Sequence, residues 1–264
     1  MQQHVTHEAE YFDNMVKMLE LIWGDGFMAP GGSGNVAKLL EGTEPEGKLI
    51  LDIGCGIGGP AMDMVRTHGA HVVGIDLEAP LIERAKADAR AAGLHEHCTF
   101  QCVGPGPLSF PDKAFDIVVS SGAVTQTPDK PSLFNEILRV LKPGGHFRCY
   151  EWMGTGDEYS DDMHYWIEVE GLTYVFETLE RYGECLGAAG FTEVANVDAS
   201  DWYRNEARRE YDLIKGELYE PMVKLMGQAD ADHFVEDWRA MVVVCDSGEM
   251  RQGYCRGRKP GDRE

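Results

Sequence analysis

The spacing of hydrophobic positions changes along the chain, and each change marks a segment. Near the start, Tyr11, Met15, Met18, Leu19 and Ile22 fall on one helical stripe, which Trp23-Gly24-Asp25-Gly26 interrupts. Pro30-Gly31-Gly32-Ser33-Gly34 reads as a loop, and residues 36–40 as a second short helix. From residue 49, short apolar runs alternate with helical patterns. Strands are expected at 49–53, 71–75, 98–103, 115–120 and 147–151, and helices at 60–68, 79–92 and 132–141, the last closed by Lys142-Pro143-Gly144-Gly145. Strands that are apolar almost throughout, alternating with helices, imply an α/β fold whose parallel sheet is covered on both faces. Residues 152–183 are rich in aromatic and acidic side chains, and 175–197 resume the helix–strand pattern around Gly190-Phe191. Residues 198–238 read as helices of a lid, 241–245 as a last strand, and the tail from Arg256 as frayed.

Composition narrows the function classes. The 264 residues are 43% hydrophobic, enough for one substantial domain. No apolar run approaches a membrane span, and the polar first residues carry no leader pattern, so a cytoplasmic setting is expected. The seven cysteines are scattered, odd in number and without a CxxC pair; reduced thiols are expected, with neither a disulfide framework nor a metal site. The net charge of −21, from 45 acidic and 24 basic side chains, argues against nucleic acid and against anionic membrane surfaces as partners.

The chemistry concentrates in Asp52-Ile53-Gly54-Cys55-Gly56-Ile57-Gly58-Gly59-Pro60, a glycine loop between a strand and a helix. Glycines let backbone approach a ligand, and the helix N-terminus offers free N–H groups. Asp76 ends the second strand, where a carboxylate accepts from ribose hydroxyls. Gly54, Gly56 and Gly59 also satisfy a dinucleotide-type GxGxxG, so a nicotinamide or flavin dehydrogenase stays open. Against it, Asp52 would repel a pyrophosphate but suits the ammonium end of an amino-acid cofactor, and some fifty residues precede the loop.

These motifs, with Phe115-Asp116-Ile117-Val118 and Leu141-Lys142-Pro143-Gly144-Gly145, resemble the ordered signature of class I S-adenosylmethionine (SAM)-dependent methyltransferases over about residues 45–152. The resemblance implies a Rossmann-like, seven-stranded, mostly parallel sheet with a helical N-terminal lead-in and a helical cap. It also implies a single domain over 1–264: lead-in 1–48, SAM-binding core 49–152, cap and acceptor region 153–240, last strand and tail 241–264. It assigns Asp52, Gly54 and Gly56 to the methionine end of SAM, Asp76 to the ribose, Gly104 and Pro105 to the adenine, and Cys55, Leu77 and Ser121 to the cofactor pocket. Members often carry an acidic residue where Gly104 stands.

A narrower likeness covers most of the chain. The lead-in, with Leu21-Ile22-Trp23-Gly24 and Gly31-Gly32, and the end, with Trp238, Asp246-Ser247 and Gly253-Tyr254, are similar to phosphoethanolamine N-methyltransferases. The loop Gly56 to Ala61 also resembles those of sterol C-methyltransferases and sarcosine/dimethylglycine N-methyltransferases. By that likeness Tyr11 and Tyr174 are retained, and Glu151 and Trp152 stand where the family has an acid and a tyrosine. The family's Asp/His pair becomes Gly122 and Gln126, its phosphate-holding arginine Leu172, and a serine before the double glycine Ala29. The candidate catalytic residues are therefore Tyr11, Gln126, Glu151, His164 and Tyr174. Met28, Trp152 and Arg239 are the candidate acceptor-binding residues, with Tyr165 and Trp166 as further aromatic walls. The expected activity is methylation of a small polar molecule by SAM, leaving S-adenosylhomocysteine (SAH). An amine of the betaine or choline type is preferred to a thioether, a hydroxyl or a sterol-like carbon, and a SAM-binding protein without turnover stays open. The expected partner is the small-molecule acceptor, with the chain a monomer or homodimer.

Overall fold

The computed structural model describes residues 13–156 and 158–262. The first strand, β1 (Leu49–Ile53), leads into a helix, α3 (Gly59–His68), after the lead-in helices α1 (Asp13–Trp23) and α2 (Gly32–Leu39). There follow β2 (His71–Asp76), α4 (Ala79–Ala91), β3 (Cys98–Cys102), β4 (Phe115–Ser121), a single 3-10 turn (Val124–Gln126), α5 (Lys130–Val140) and β5 (Leu141–Met153). The chain closes with α6 (Asp161–Glu170), α7 (Leu179–Ala189), β6 (Thr192–Asp198), α8 (Ser200–Lys215), α9 (Tyr219–Met226), α10 (Gln228–Ser247) and β7 (Arg251–Arg258). The seven strands lie in the order β3-β2-β1-β4-β5-β7-β6, with β7 alone antiparallel to its neighbours. The strand order reverses between β1 and β4, and the crevice at their carboxyl ends is where an open α/β sheet takes a ligand.

Local chemistry explains the boundaries. Pro60 occupies the first turn of α3, where its missing N–H costs nothing, and Gly69 in the left-handed region ends that helix. Asp129, Ser160 and Thr178 cap α5, α6 and α7 with side-chain oxygens that accept from the backbone N–H three residues on. Ile50 and Leu51 of β1 are wholly buried, one against each face of the sheet: Ile50 packs with α2, α3 and α4, and Leu51 with α5 and α7. A third cluster forms the cap, where Met18, Trp166, Tyr203, Met222 and Trp238 from five helices are at most 2% exposed. Burying each such side chain stabilises the cap by about 1.5–3 kcal/mol. No helix among the described residues is long and apolar enough to cross a membrane.

Four expectations from the sequence fail. Residues 241–245 are not a strand. They continue α10, and Phe234, Trp238, Met241, Val244 and Cys245 form its buried stripe at helical spacing, which overrides the β propensity of Val242-Val243-Val244. The last strand is instead Arg251–Arg258, and its tail is anchored. Lys259 Nζ donates to the carbonyls of Leu138 (2.7 Å) and Leu141 (2.7 Å) past the end of α5, and Lys259 N–H to Gly145 O (2.9 Å). The loop expected at 30–34 is shorter, because Gly31 is left-handed (φ 93°) and α2 begins at Gly32. The fifth strand also outruns residues 147–151, as β7 pairs with it from His146 to Met153.

Replacing Lys259 with alanine leaves carbonyls at the end of α5 without their charged donor. It should cost about 1–3 kcal/mol, seen as a lower urea midpoint with an unchanged denaturant slope; an unaltered midpoint would contradict the anchoring role.

Candidate active site

The glycine loop after β1 is shaped by contacts that exclude side chains. Gly54 (φ 72°) hydrogen-bonds to Ile75 O at 2.8 Å, and a Cβ on it would lie 2.1 Å from Ala123 Cβ. At Gly59 a Cβ would lie 2.0 Å from the carbonyl oxygen of Gly26, which accepts the Gly59 N–H at 3.1 Å. That backbone contact seats the lead-in on the start of α3. Glu20 of α1 holds it there, accepting from Gly26 N–H (2.9 Å) and from Arg84 of α4 (2.9 Å). Met28 is thereby placed against Gly56, its sulfur 3.0 Å from where a Cβ would stand.

Two carboxylates frame the loop. Asp76 Oδ2 accepts from Gly56 N–H (2.9 Å) and Oδ1 from Glu78 N–H (3.0 Å), so the acid at the end of β2 helps fold the loop that it faces. Asp52 is 3% exposed, and its Oδ2 has no hydrogen-bond partner among the described residues. Burial, reinforced by the charge of Asp76, pushes its pKa up to about 7. A buried carboxylate in this state is poised to meet a cationic donor.

The loop opens into a cavity of about 1000 Å³ that runs from the β1–β4 switch point to the cap. Asp52, Gly54, Cys55, Gly56, Asp76, Leu77, Gly104, Pro105 and Ser121 all line it, as do Met28, Gln126, Trp152 and Tyr174. Leu77 is 41% exposed and, with the Gly104-Pro105 turn, offers flat apolar walls; nothing lies within 4 Å of a Cβ built on Gly104. Ser121 Oγ accepts from Asn35 Nδ2 (3.2 Å), whose Oδ1 accepts from Tyr254 (2.7 Å).

The cap end is aromatic and rigid. Trp23 and Trp238 both line the cavity, and both indole N–H groups donate to buried Glu210 of α8, at 2.7 and 3.1 Å. Burial pushes the Glu210 pKa up to about 7. Trp152 packs edge-on against Tyr203, and Tyr174 stacks on Trp166, which is itself fully buried. The Tyr174 hydroxyl donates to Glu170 Oε1 at 2.8 Å.

Several expected site residues lie elsewhere. Tyr11 falls outside the described residues. His164 is exposed on the far side of α6 from Met163 and Trp166, its ring near that of Tyr159. Tyr165 is also outward, donating to Glu236. Arg239 is on the solvent side of α10, held by both oxygens of Glu236 (2.7 and 2.6 Å); one residue earlier, Asp237 and Trp238 face the cavity instead. Glu151 does not reach the cavity. It is fully buried beneath the 3-10 turn and accepts from Val124 N–H (3.3 Å) and Thr125 N–H (3.0 Å), which sets the turn that carries Gln126. Burial pushes its pKa to about 7, and the charge of Lys130 opposes that rise. Lys130, 3% exposed, donates to the carbonyls of Thr127 (3.0 Å) and Val175 (2.5 Å) and so ties this turn to the Tyr174 loop. Nothing in the sequence distinguishes Lys130 from a surface lysine at a helix start, and Glu170, Asp237 and Glu210 look equally like solvated helix acids.

Comparison with known proteins agrees with this architecture. Residues 50–145 match the methyltransferase domain family. The chain is 30% identical over 252 residues to phosphoethanolamine N-methyltransferase 1 of Arabidopsis thaliana, covering 95% of this chain and 50% of that protein. It is 28% identical to the phosphoethanolamine N-methyltransferase of Plasmodium falciparum, covering 95% and 93%. Its fold matches that of Haemonchus contortus phosphoethanolamine N-methyltransferase 2, solved with phosphomonomethylethanolamine and S-adenosylhomocysteine, with a TM-score of 0.87 at 24% identity over 95% of this chain and 58% of that one. The chain spans about half the length of the plant relatives that it matches. It carries the class I SAM-dependent methyltransferase fold, with the methyltransferase domain match lying over residues 50–145.

Because Lys130 and Glu151 act on one turn, their substitutions should be coupled. Lys130→Met alone should cost about 3–5 kcal/mol, whereas adding Glu151→Gln should cost less than the sum of the single changes. Additive losses in a denaturation cycle would refute the coupling.

Proposed function

We propose that this chain transfers the methyl group of SAM to the nitrogen of a small polar amine. The observation that carries the reading is the continuity of one cavity. It joins a glycine loop bearing an unpaired buried carboxylate, Asp52, to an aromatic cap built from Trp23, Trp152, Tyr174 and Trp238. Residues 1–264 are read as one catalytic unit, with α10 rather than a strand closing the cap. The seven free cysteines, with Cys149 opposite Cys255 across β5 and β7, support a reducing, cytoplasmic setting.

The residues fit the cofactor. Asp52 would take its ammonium group, Gly54 and Gly56 would let the backbone lie against its chain, Asp76 would face the ribose, and Leu77 and Pro105 would flank the base. When bound, SAM supplies a sulfonium carrying an electrophilic methyl group. The protein's own contribution is position and dryness. Met28 and the Gly26–Gly59 contact cover the loop, and the Glu210-clamped indoles fix the wall opposite it. Holding a nucleophile in line contributes roughly 7–11 kcal/mol toward the barrier. The aromatic faces suit a methylammonium product. Gln126 stands on the turn set by Glu151 and is placed to orient the acceptor by hydrogen bonding, while Glu151 acts only through that turn. Tyr11 is kept as an acceptor contact on the strength of the family likeness. Polar groups at the cap end disfavour a long apolar acceptor such as a sterol.

Calorimetry should show binding of both SAM and SAH, with turnover on an amine panel; no binding of either would overturn the reading. Asp52 must lose its proton to meet an ammonium group. SAH affinity should therefore fall as the pH drops below about 7, approaching tenfold per unit. Asp52→Asn should bind weakly at every pH and flatten the profile, and an unchanged slope in that variant would assign the titration to another group.

A further inference from the structure

The cavity has a charge pattern that no part of the reaction above requires. Seven carboxylates line it, from Asp52 and Asp76 at the glycine loop to Glu170 and Asp237 at the cap, and among the described residues it is lined by no lysine, arginine or histidine. Arg239, the cation nearest in sequence, points outward to Glu236. The position that the family likeness assigns to a phosphate-holding arginine is Leu172, and Leu172 lines the same wall. A phosphate or carboxylate brought to this end would be desolvated beside like charges with no counter-ion.

Glu170 and Asp237 stand together there. Asp237, on α10, is 4% exposed, and its Oδ1 has no hydrogen-bond partner among the described residues. It lies directly against the Glu170 side chain, and burial and that neighbouring carboxyl both hold its pKa well above the usual carboxylate range. Glu170 is the last residue of α6, where the negative end of the helix dipole opposes its charge. Tyr174 donates to one of its oxygens. Two adjacent acids, Asp237 buried and Glu170 half-buried at a helix C-terminus, with no lysine, arginine or histidine lining the cavity among the described residues, are costly to keep charged together, and a bound cation relieves that cost. Trp152, Tyr174 and Trp238 line the same end of the cavity and offer π faces to such a cation.

We propose that the Glu170–Asp237 pair is the binding site for the acceptor's ammonium group, whose N–H proton passes to this carboxylate pair before the freed nitrogen takes the methyl group and SAH leaves, and that the acceptor is a small amine carrying neither phosphate nor carboxylate. The inference rests on the methyltransferase reading and narrows it. An amino alcohol or a simple alkylamine fits; a phosphate ester or an amino acid does not. The acceptor preference thus departs from the phosphorylated ligand held by the Haemonchus structure, although the fold is shared.

The test is calorimetry on the SAH-saturated full chain with four probes: tetramethylammonium, choline, phosphocholine and glycine betaine. Tetramethylammonium and choline should bind, with phosphocholine and betaine at least about tenfold weaker, a difference of about 1.4 kcal/mol. Glu170→Gln and Asp237→Asn should each weaken choline about tenfold or more while leaving SAH affinity within about twofold, which also shows that the variants are folded. If Asp237→Asn does not fold, Glu170→Gln and the wild-type ranking decide the matter. Leu172→Arg should reverse the ranking toward phosphocholine. Failure of SAH to bind would remove the methyltransferase reading itself. SAH binding with phosphocholine or betaine preferred, with no cation bound, or with choline affinity indifferent to both substitutions, would overturn the ammonium site alone.

Discussion

The close approach of Gly26 to Gly59 is the constraint on which the rest of the site depends. A carbonyl oxygen occupies the place where any other residue at position 59 would carry a Cβ. Only this backbone contact lets the lead-in lie across the opening of α3, and only with the lead-in there does Trp23 reach Glu210 and face Trp238. The glycine-loop end and the cap end of the cavity are therefore not separate modules. The same loop that makes the floor of one carries the aromatic wall of the other. Glu20 and Arg84 fix that loop from α1 and α4, so a contact made at the sheet's edge determines the shape of the cap.

Buried and half-buried acids organise this molecule more than buried cations do. Glu151 shapes the 3-10 turn, Glu210 clamps two indoles, Asp76 folds the glycine loop, and Asp52 and Asp237 each keep an oxygen without a hydrogen-bond partner. The first three are satisfied by backbone or indole donors, which lets a carboxylate sit in the interior without a counter-ion. The last two face the cavity, and their unmet capacity is what gives it an electrostatic preference. Among the described residues Lys130 is the one deeply buried lysine, and it meets carbonyls and the field of Glu151 beneath the site rather than the cavity itself. The scaffold does not rest on the residues that line the cap end of the cavity, so the lining can differ while the fold is kept.

The sequence by itself determined the α/β class, the strand–helix alternation from residue 49 to residue 141, and the glycine-loop side of the cavity. These are legible because they are local. Alternating apolar runs, a glycine loop and a strand-ending acid each depend on neighbours within some twenty-five residues, and each has few structural alternatives. Gly54, Gly56 and Asp76 could be placed for that reason. The run 241–245 was misread because β-branched composition is a weak signal beside a buried stripe that starts seven residues earlier. The last strand was missed because the exposed Arg256 and Arg258 alternate with a buried face made of Gly253, Cys255 and Gly257, which carries almost no apolar signal.

Only the tertiary structure decided the cap side of the cavity. Which face of α10 points inward is set by packing against α6 and α8, and a rotation of one residue exchanges Arg239 for Trp238. Whether Glu170 and Asp237 touch depends on bringing together residues sixty-seven positions apart. His164 and Glu151 carry the right functional groups for catalysis, yet one is turned to solvent and the other is locked under a turn. A side chain's chemistry can be read from its type, but its direction is a property of the packed helix that carries it.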